Sequence, residues 1–302
     1  MNPRHLQEPA HRQDAVEAPR ASAGPGMLAL LALQQSAGNR AVSSMLGRAR
    51  PPAPHGLSST AGQPVAQRWL RVSSPHNRFF NPAQAAALAA QFVAILTRIS
   101  TANEYQLVGN RLAYTARAGV VPSWFDTQMR NWIGDGPEIP MLLVRHSSVQ
   151  VTNSGPSRID VDSFDEGFVD VDDLATESDD SARMNLLHLI AERRSVPGYA
   201  RRAGSSNLAG DRPTFNRAHD QGLVTERDYL RDRLHDMRIG KGHQLHGDPL
   251  RFRFPSPHGY AVLHTLPTRG GGQIMTGVVE VIQAGHRHTI DQWLALHPAG
   301  FP

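Results

Sequence analysis

MNLLHLIAERR, residues 184–194, reads as a single helix with a polar stripe, and the rest of the chain is best placed around it. In a helix, residues four apart project from the same side. Leu186, Leu187, Leu189, Ile190 and Ala191 sweep a wide apolar arc, and His188 and Glu192 share the narrow sector that remains. A helix this apolar belongs in the interior, so its polar stripe must face a cavity, another polar group or a strip of solvent.

Working outward towards the C-terminus, this helix is expected from about Asp179 to Ser195. A Gly- and Arg-rich loop follows, and Pro213 opens a second helical stretch, TFNRAHDQGLVTERDYLRDRLHDM, with a bend predicted at Gly222. Two consecutive helices joined by a loop often pack together. His219 of the second can therefore join His188 and Glu192 of the first, giving two imidazole nitrogens and a carboxylate for a metal ion. Glu226 stands seven positions after His219, on the same face but about 10 Å further along the axis. It can share the ion only if the helix breaks at Gly222; otherwise it backs a ligand or is unrelated. The plainer reading is an intrahelical His188–Glu192 contact on a wet face, with His219 capping or packing. In a chain with 15 histidines one such pair is expected by chance.

The rest of the sequence predicts an α+β fold: a helical N-terminal half, a central pair of packed helices and a C-terminal antiparallel β-meander. Asn81-Pro82 starts a helix through AQAAALAAQFVAILTRI, and a second runs from Ser123 to Trp132. MLLVRHSSVQV, RIDVD and FVDVD read as strands, as do LRFRF, GYAVLHTL and GQIMTGVVEVIQA near the C-terminus. Residues 160–180 are rich in Asp and Glu. They lack the spacing of an EF-hand calcium loop and suit a solvated strand face running into an acidic helix N-terminus. Residues 1–26 should be disordered, 27–48 form a short amphipathic helical unit, and 49–68 form a Pro-containing linker. The division is thus a leader and linker over 1–68 and a globular domain over 69–302.

Composition narrows the chemistry. With no cysteine, disulfides, thiolate zinc sites and cysteine nucleophiles are excluded. Thirty-one basic against 27 acidic residues is too even a balance to argue for nucleic acid. No apolar run approaches the roughly 20 residues of a membrane span, and 26 largely polar, Pro- and Gly-containing residues precede the first apolar segment, so neither a span nor a signal peptide is expected. Synthesis in the cytoplasm follows as the expectation.

Two stretches resemble known families. LLALQQSAGNRAVSSML resembles the leader that precedes zinc-peptidase-like domains in actinobacterial proteins linked to extracellular contractile injection systems, and Gln34, Ala37, Gly38, Asn39, Ala41, Val42 and Leu46 carry the pattern. The resemblance implies a cargo, effector or accessory protein that meets the contractile injection particle through its leader and leaves the cell by that route. Residues 170–226 are similar to metallopeptidase-like domains in which a helical His-Glu-Leu-x-Glu element precedes an Ala-His-x-x-Gly element. Here the two are His188-Leu189-Ile190-Ala191-Glu192 and Ala218-His219-Asp220-Gln221-Gly222. This implies zinc as cofactor. In HExxH enzymes the Glu beside the first His is the general base; Leu189 takes that place here and Glu192 stands where the second His would. A pseudoenzyme that keeps the metal and loses hydrolysis is one expectation. A non-enzymatic cargo or structural protein with a partner-binding domain is the other.

Three further features carry less. His286-Arg287-His288 would put two imidazoles on one face of a strand, as in peptidoglycan-cleaving zinc enzymes, but a surface turn is the simpler reading. No GxSxG elbow or phosphate-binding loop is present. Arg193, Arg194, Arg201 and Arg202 form a basic loop that suits phosphate, an acidic partner or plain solvation.

Overall fold

The computed structural model describes residues 70–73, 80–145, 162–164, 167–203, 208, 210–246, 248–266, 268–270 and 273–298. The leader, its motif at 27–48 and the linker lie outside the described residues, as do much of RIDVD and the end of MLLVRHSSVQV. Everything described falls within one compact unit spanning Thr60–Pro302.

The fold is α+β. A six-stranded mixed sheet is built from β1 (Leu70–Ser73), β2 (Asn103–Val108), β3 (Arg111–Ala116), β4 (Ile139–Val144), β5 (Asp162–Ser163) and β6 (Phe168–Asp170), in the order β2-β3-β1-β4-β6-β5. β1 and β4 run parallel, with Leu70 opposite Ile139, and β4 and β6 are parallel too. The N-terminal half is therefore not simply helical. β1–β3 carry mixed polarity and pair at long range, so alternation alone does not reveal them.

Helices cover this sheet. α1 (Pro82–Ile99) starts where Asn81 and Gln84 cap each other reciprocally, and it buries Leu88, Phe92, Ile95, Leu96 and Ile99. By length and composition it is the one helix among the described residues able to cross a membrane. α2 (Trp124–Gly134) opens on a Ser123–Asp126 capping box. FVDVD divides: its first three residues are β6, and Val171 begins α3 (Val171–Thr176), capped by Asp170. The acidic stretch is less solvated than expected, because Asp170, Asp173 and Glu177 are buried. The Asp170 side chain is spent accepting from the Asp172 and Asp173 amides.

α4 (Asp179–Ser195) carries the opening motif, and its Leu186, Leu187, Leu189 and Ile190 are wholly or almost wholly buried. After a short α5 (Tyr199–Arg202) comes α6 (Arg212–Arg233), which is continuous through Gly222 and packs along α4. The helix does not break there, because an isolated glycine weakens a helix without interrupting it where packing holds both halves.

The C-terminal sheet is the expected antiparallel meander. It contains β7 (His243–Leu245), β8 (Asp248–Pro255), β9 (Tyr260–Thr265), β12 (Val278–Gln283) and β13 (His286–Thr289), in the order β13-β12-β9-β8-β7. Between β9 and β12 a separate hairpin forms from β10 (Thr268–Gly270) and β11 (Gln273–Met275). α7 (Ile290–Leu296) closes the unit by burying Trp293. α4 touches β4 of the first sheet and β12 of the second, and its polar stripe faces α6.

Candidate metal centre

His188 and Glu192 stand one turn apart on α4, and His219 faces them from α6. Their ligand atoms form a nearly equilateral triangle. His188 Nε2 lies 3.0 Å from Glu192 Oε1 and 3.1 Å from His219 Nδ1, and that nitrogen lies 2.9 Å from the same Glu192 oxygen. Zinc binds such donors at about 2.0–2.2 Å. His188 Nε2, His219 Nδ1 and Glu192 Oε1 would be the atoms to hold such an ion, which would supply Lewis-acid chemistry there. The three residues can hold a metal ion.

The two histidine corners are held from behind. Glu226 Oε1 lies 3.2 Å from His188 Nδ1. A carboxylate only accepts, so this contact places a proton on Nδ1 and turns Nε2 towards the triangle. Because α6 does not break, Glu226 is not a fourth corner; it orients His188 instead. The His219 ring stacks on Phe215, one turn earlier on α6, with 5.7 Å between centroids and 9° between planes. Gly222 supplies the space. A Cβ there would stand 2.6 Å from His188 Nε2, so the glycine read as a bend is where α6 makes room for the ring. Solvent reaches the group along His219, whose side chain is 33% exposed, against 15% for His188 and 4% for Glu192.

Electrostatics follow from burial. Removal from water favours neutral His188, but the Glu192 and Glu226 carboxylates outweigh it and hold the imidazole pKa well above its usual value. Burial likewise pushes both carboxyls up, and the histidines more than reverse it, bringing Glu192 and Glu226 each to about 2. Without an ion, the two ionised carboxylates thus sit against a cationic His188, and a metal ion could take its place in the triangle only by displacing the Nε2 proton.

The other sequence candidates do not join this group. His286 and His288 lie on the edge strand β13, and the His288 ring sits 5.9 Å from Trp293. Neither His258, beside Asp236 at 3.6 Å, nor His264, against Ser181 at 3.1 Å, joins them in a second cluster. Of the basic loop, Arg193 is fully buried and donates to the Phe168 carbonyl, Arg194 donates to the Asp135 carbonyl, and Arg202 pairs with Asp211. Missing from the sequence reading were Phe215 and Ser181, and the roles that Gly222 and His264 play. Only Phe215 left a local signal, its four-residue spacing from His219.

Fold and site thus define a class: an α+β domain whose two central helices present a three-donor group suited to one metal ion. Comparison with protein-family models, curated proteins and solved structures finds no match for this chain.

Proposed function

We propose that this is a contractile-injection-associated cargo protein whose folded part is a metallopeptidase-like domain, holding one zinc ion at His188, Glu192 and His219 without the hydrolytic base. The convergence of three donor atoms within 3.1 Å, from two helices and with Glu226 behind His188, carries the metal part of this reading. Two imidazoles and one carboxylate form the donor set of zinc sites that keep an open position. The pseudoenzyme part rests on Leu189. The position of the general base in HExxH helices is here 1% exposed and packed into the apolar core, so nothing at that place can take a proton from metal-bound water. The export part rests on the leader motif from Gln34 to Leu46.

Metal analysis of protein purified without chelator tests the reading. About one zinc per chain is expected, falling to background in His188→Ala. The same donors accept ferrous iron, so both metals are to be read. A metal content that His188→Ala leaves unchanged removes His188 from any site. No uptake by the wild-type chain leaves the triangle as a buried ion-paired knot and favours the non-enzymatic partner-binding protein.

A further inference from the structure

Behind Glu226 the polar contacts continue into the molecule, where the proposed metal chemistry does not use them. His264, on β9 of the C-terminal sheet, is fully buried, and its Nδ1 lies 3.6 Å from Glu226 Oε1. On the opposite side of the ring, Nε2 lies 3.1 Å from Ser181 Oγ at the start of α4. Next to Ser181, burial pushes the Glu177 carboxyl up to about 7, and Asn185 donates to its Oε2 at 2.7 Å. Glu226 Oε2 and His264 Nδ1 are both buried without a hydrogen-bond partner.

Ser181, His264 and Glu226 stand in the order of a nucleophile, base and acid set. Ser181 is fully buried, however, and a Cβ at Gly277 would come within 2.5 Å of its oxygen, so no substrate reaches the hydroxyl. A different role fits the burial. At 3.6 Å, Nδ1 is just beyond hydrogen-bond reach of Glu226 Oε1; because a carboxylate only accepts, the tautomer with its proton on Nδ1 is the one that can close this gap, leaving Nε2 to accept from Ser181. On the reading that the triangle holds an ion, we propose that His264 is a positioning residue for that site. It turns Glu226 towards His188 Nδ1, and Ser181 fixes the His264 tautomer that does so. The metal site thereby depends on the C-terminal sheet, which supplies none of its ligands. Groups of this kind behind a metal ligand are commonly worth 10- to 100-fold in affinity.

Zinc affinity by chelator competition, on the full chain and its variants, tests this. His264→Phe keeps a ring of similar size and loses the donor; a loss of about 10- to 100-fold is expected. His264→Asn returns an N–H near the Nδ1 position and is expected to recover most of that loss, which a purely space-filling role would not predict. Should His264→Phe fail to fold, Ser181→Ala removes one hydroxyl and is expected to weaken zinc several-fold. Wild-type affinity in a folded His264→Phe or in Ser181→Ala overturns the positioning role and leaves the metal site standing. Absence of zinc binding by the unmodified chain overturns both.

Discussion

At Gly222 two effects of one methyl group oppose each other. Alanine in place of a helical glycine gains about 1 kcal/mol of helix propensity. Its Cβ would press on His188 at 2.6–2.7 Å on three ring atoms, and that ring is confined by Glu192 and Glu226. Overpacking a buried contact costs about 1–3 kcal/mol, so Gly222→Ala is expected to destabilise slightly in denaturant unfolding. The larger effect is expected on the site, because a ring displaced by a few tenths of an ångström no longer closes the triangle. Zinc affinity at least tenfold below that of the unmodified protein is the outcome to look for. A variant that binds zinc normally would show that the ring adjusts freely. This residue also marks where sequence reading stops. The spacing of His188 and Glu192 and the proximity of His219 follow from helix periodicity and chain order. Whether Gly222 bends α6 or accommodates a neighbour depends on how two helices pack, and periodicity does not encode that.

Among the elements, α2 is fixed to the turn between α1 and β2 by the carboxylate of Asp126. This wholly buried side chain accepts from Ser123 at 2.8 Å, from Thr101 at 2.5 Å, from Ser100 and from the Ala102 amide at 3.2 Å. Burial pushes its pKa up, but these hydrogen bonds prevail and hold it below the usual aspartate value. A depressed carboxyl contributes stability that is present above its unfolded pKa, about 3.9, and lost as pH falls through the folded one. Asp126→Asn is therefore expected to cost about 1–3 kcal/mol at neutral pH. The gap from wild type should stay constant above about pH 5 and close below about pH 4, measured by urea unfolding across pH. A gap independent of pH would mean that shape rather than charge fixes α2. Helices such as α1 and α2 were legible because their caps are local: Asn81-Pro82 and Ser123 announce them. β1–β3 were not, since NEYQLV and RLAYTA alternate poorly and β1 finds its partner β4 across two helices. In the acidic stretch, composition suggested a wet surface, while the structure uses Asp170 as a buried cap.

For the whole molecule, two perturbations separate what belongs to the fold from what is added to it. Deleting residues 27–48 is expected to leave the thermal midpoint of the remainder within about 2 °C, which for a unit of this size corresponds to less than about 1 kcal/mol; a larger fall would make the leader part of the core. Zinc should act in the opposite sense. An ion held by His188 and Glu192 on α4 and by His219 on α6 ties together the two helices that pack along one another, and α4 in turn touches both sheets. A ligand that binds only the folded state stabilises it by mass action, about 2.7 kcal/mol at one hundred times its Kd. Added zinc is therefore expected to raise the midpoint by roughly 5–10 °C in a domain of this length, and a chelator should reverse the rise. His219→Ala should abolish the shift, because it removes the corner contributed by α6 and leaves α4 with only two donors. If zinc stabilises that variant as much as the unmodified chain, the ion binds elsewhere and the two central helices are held together by packing alone.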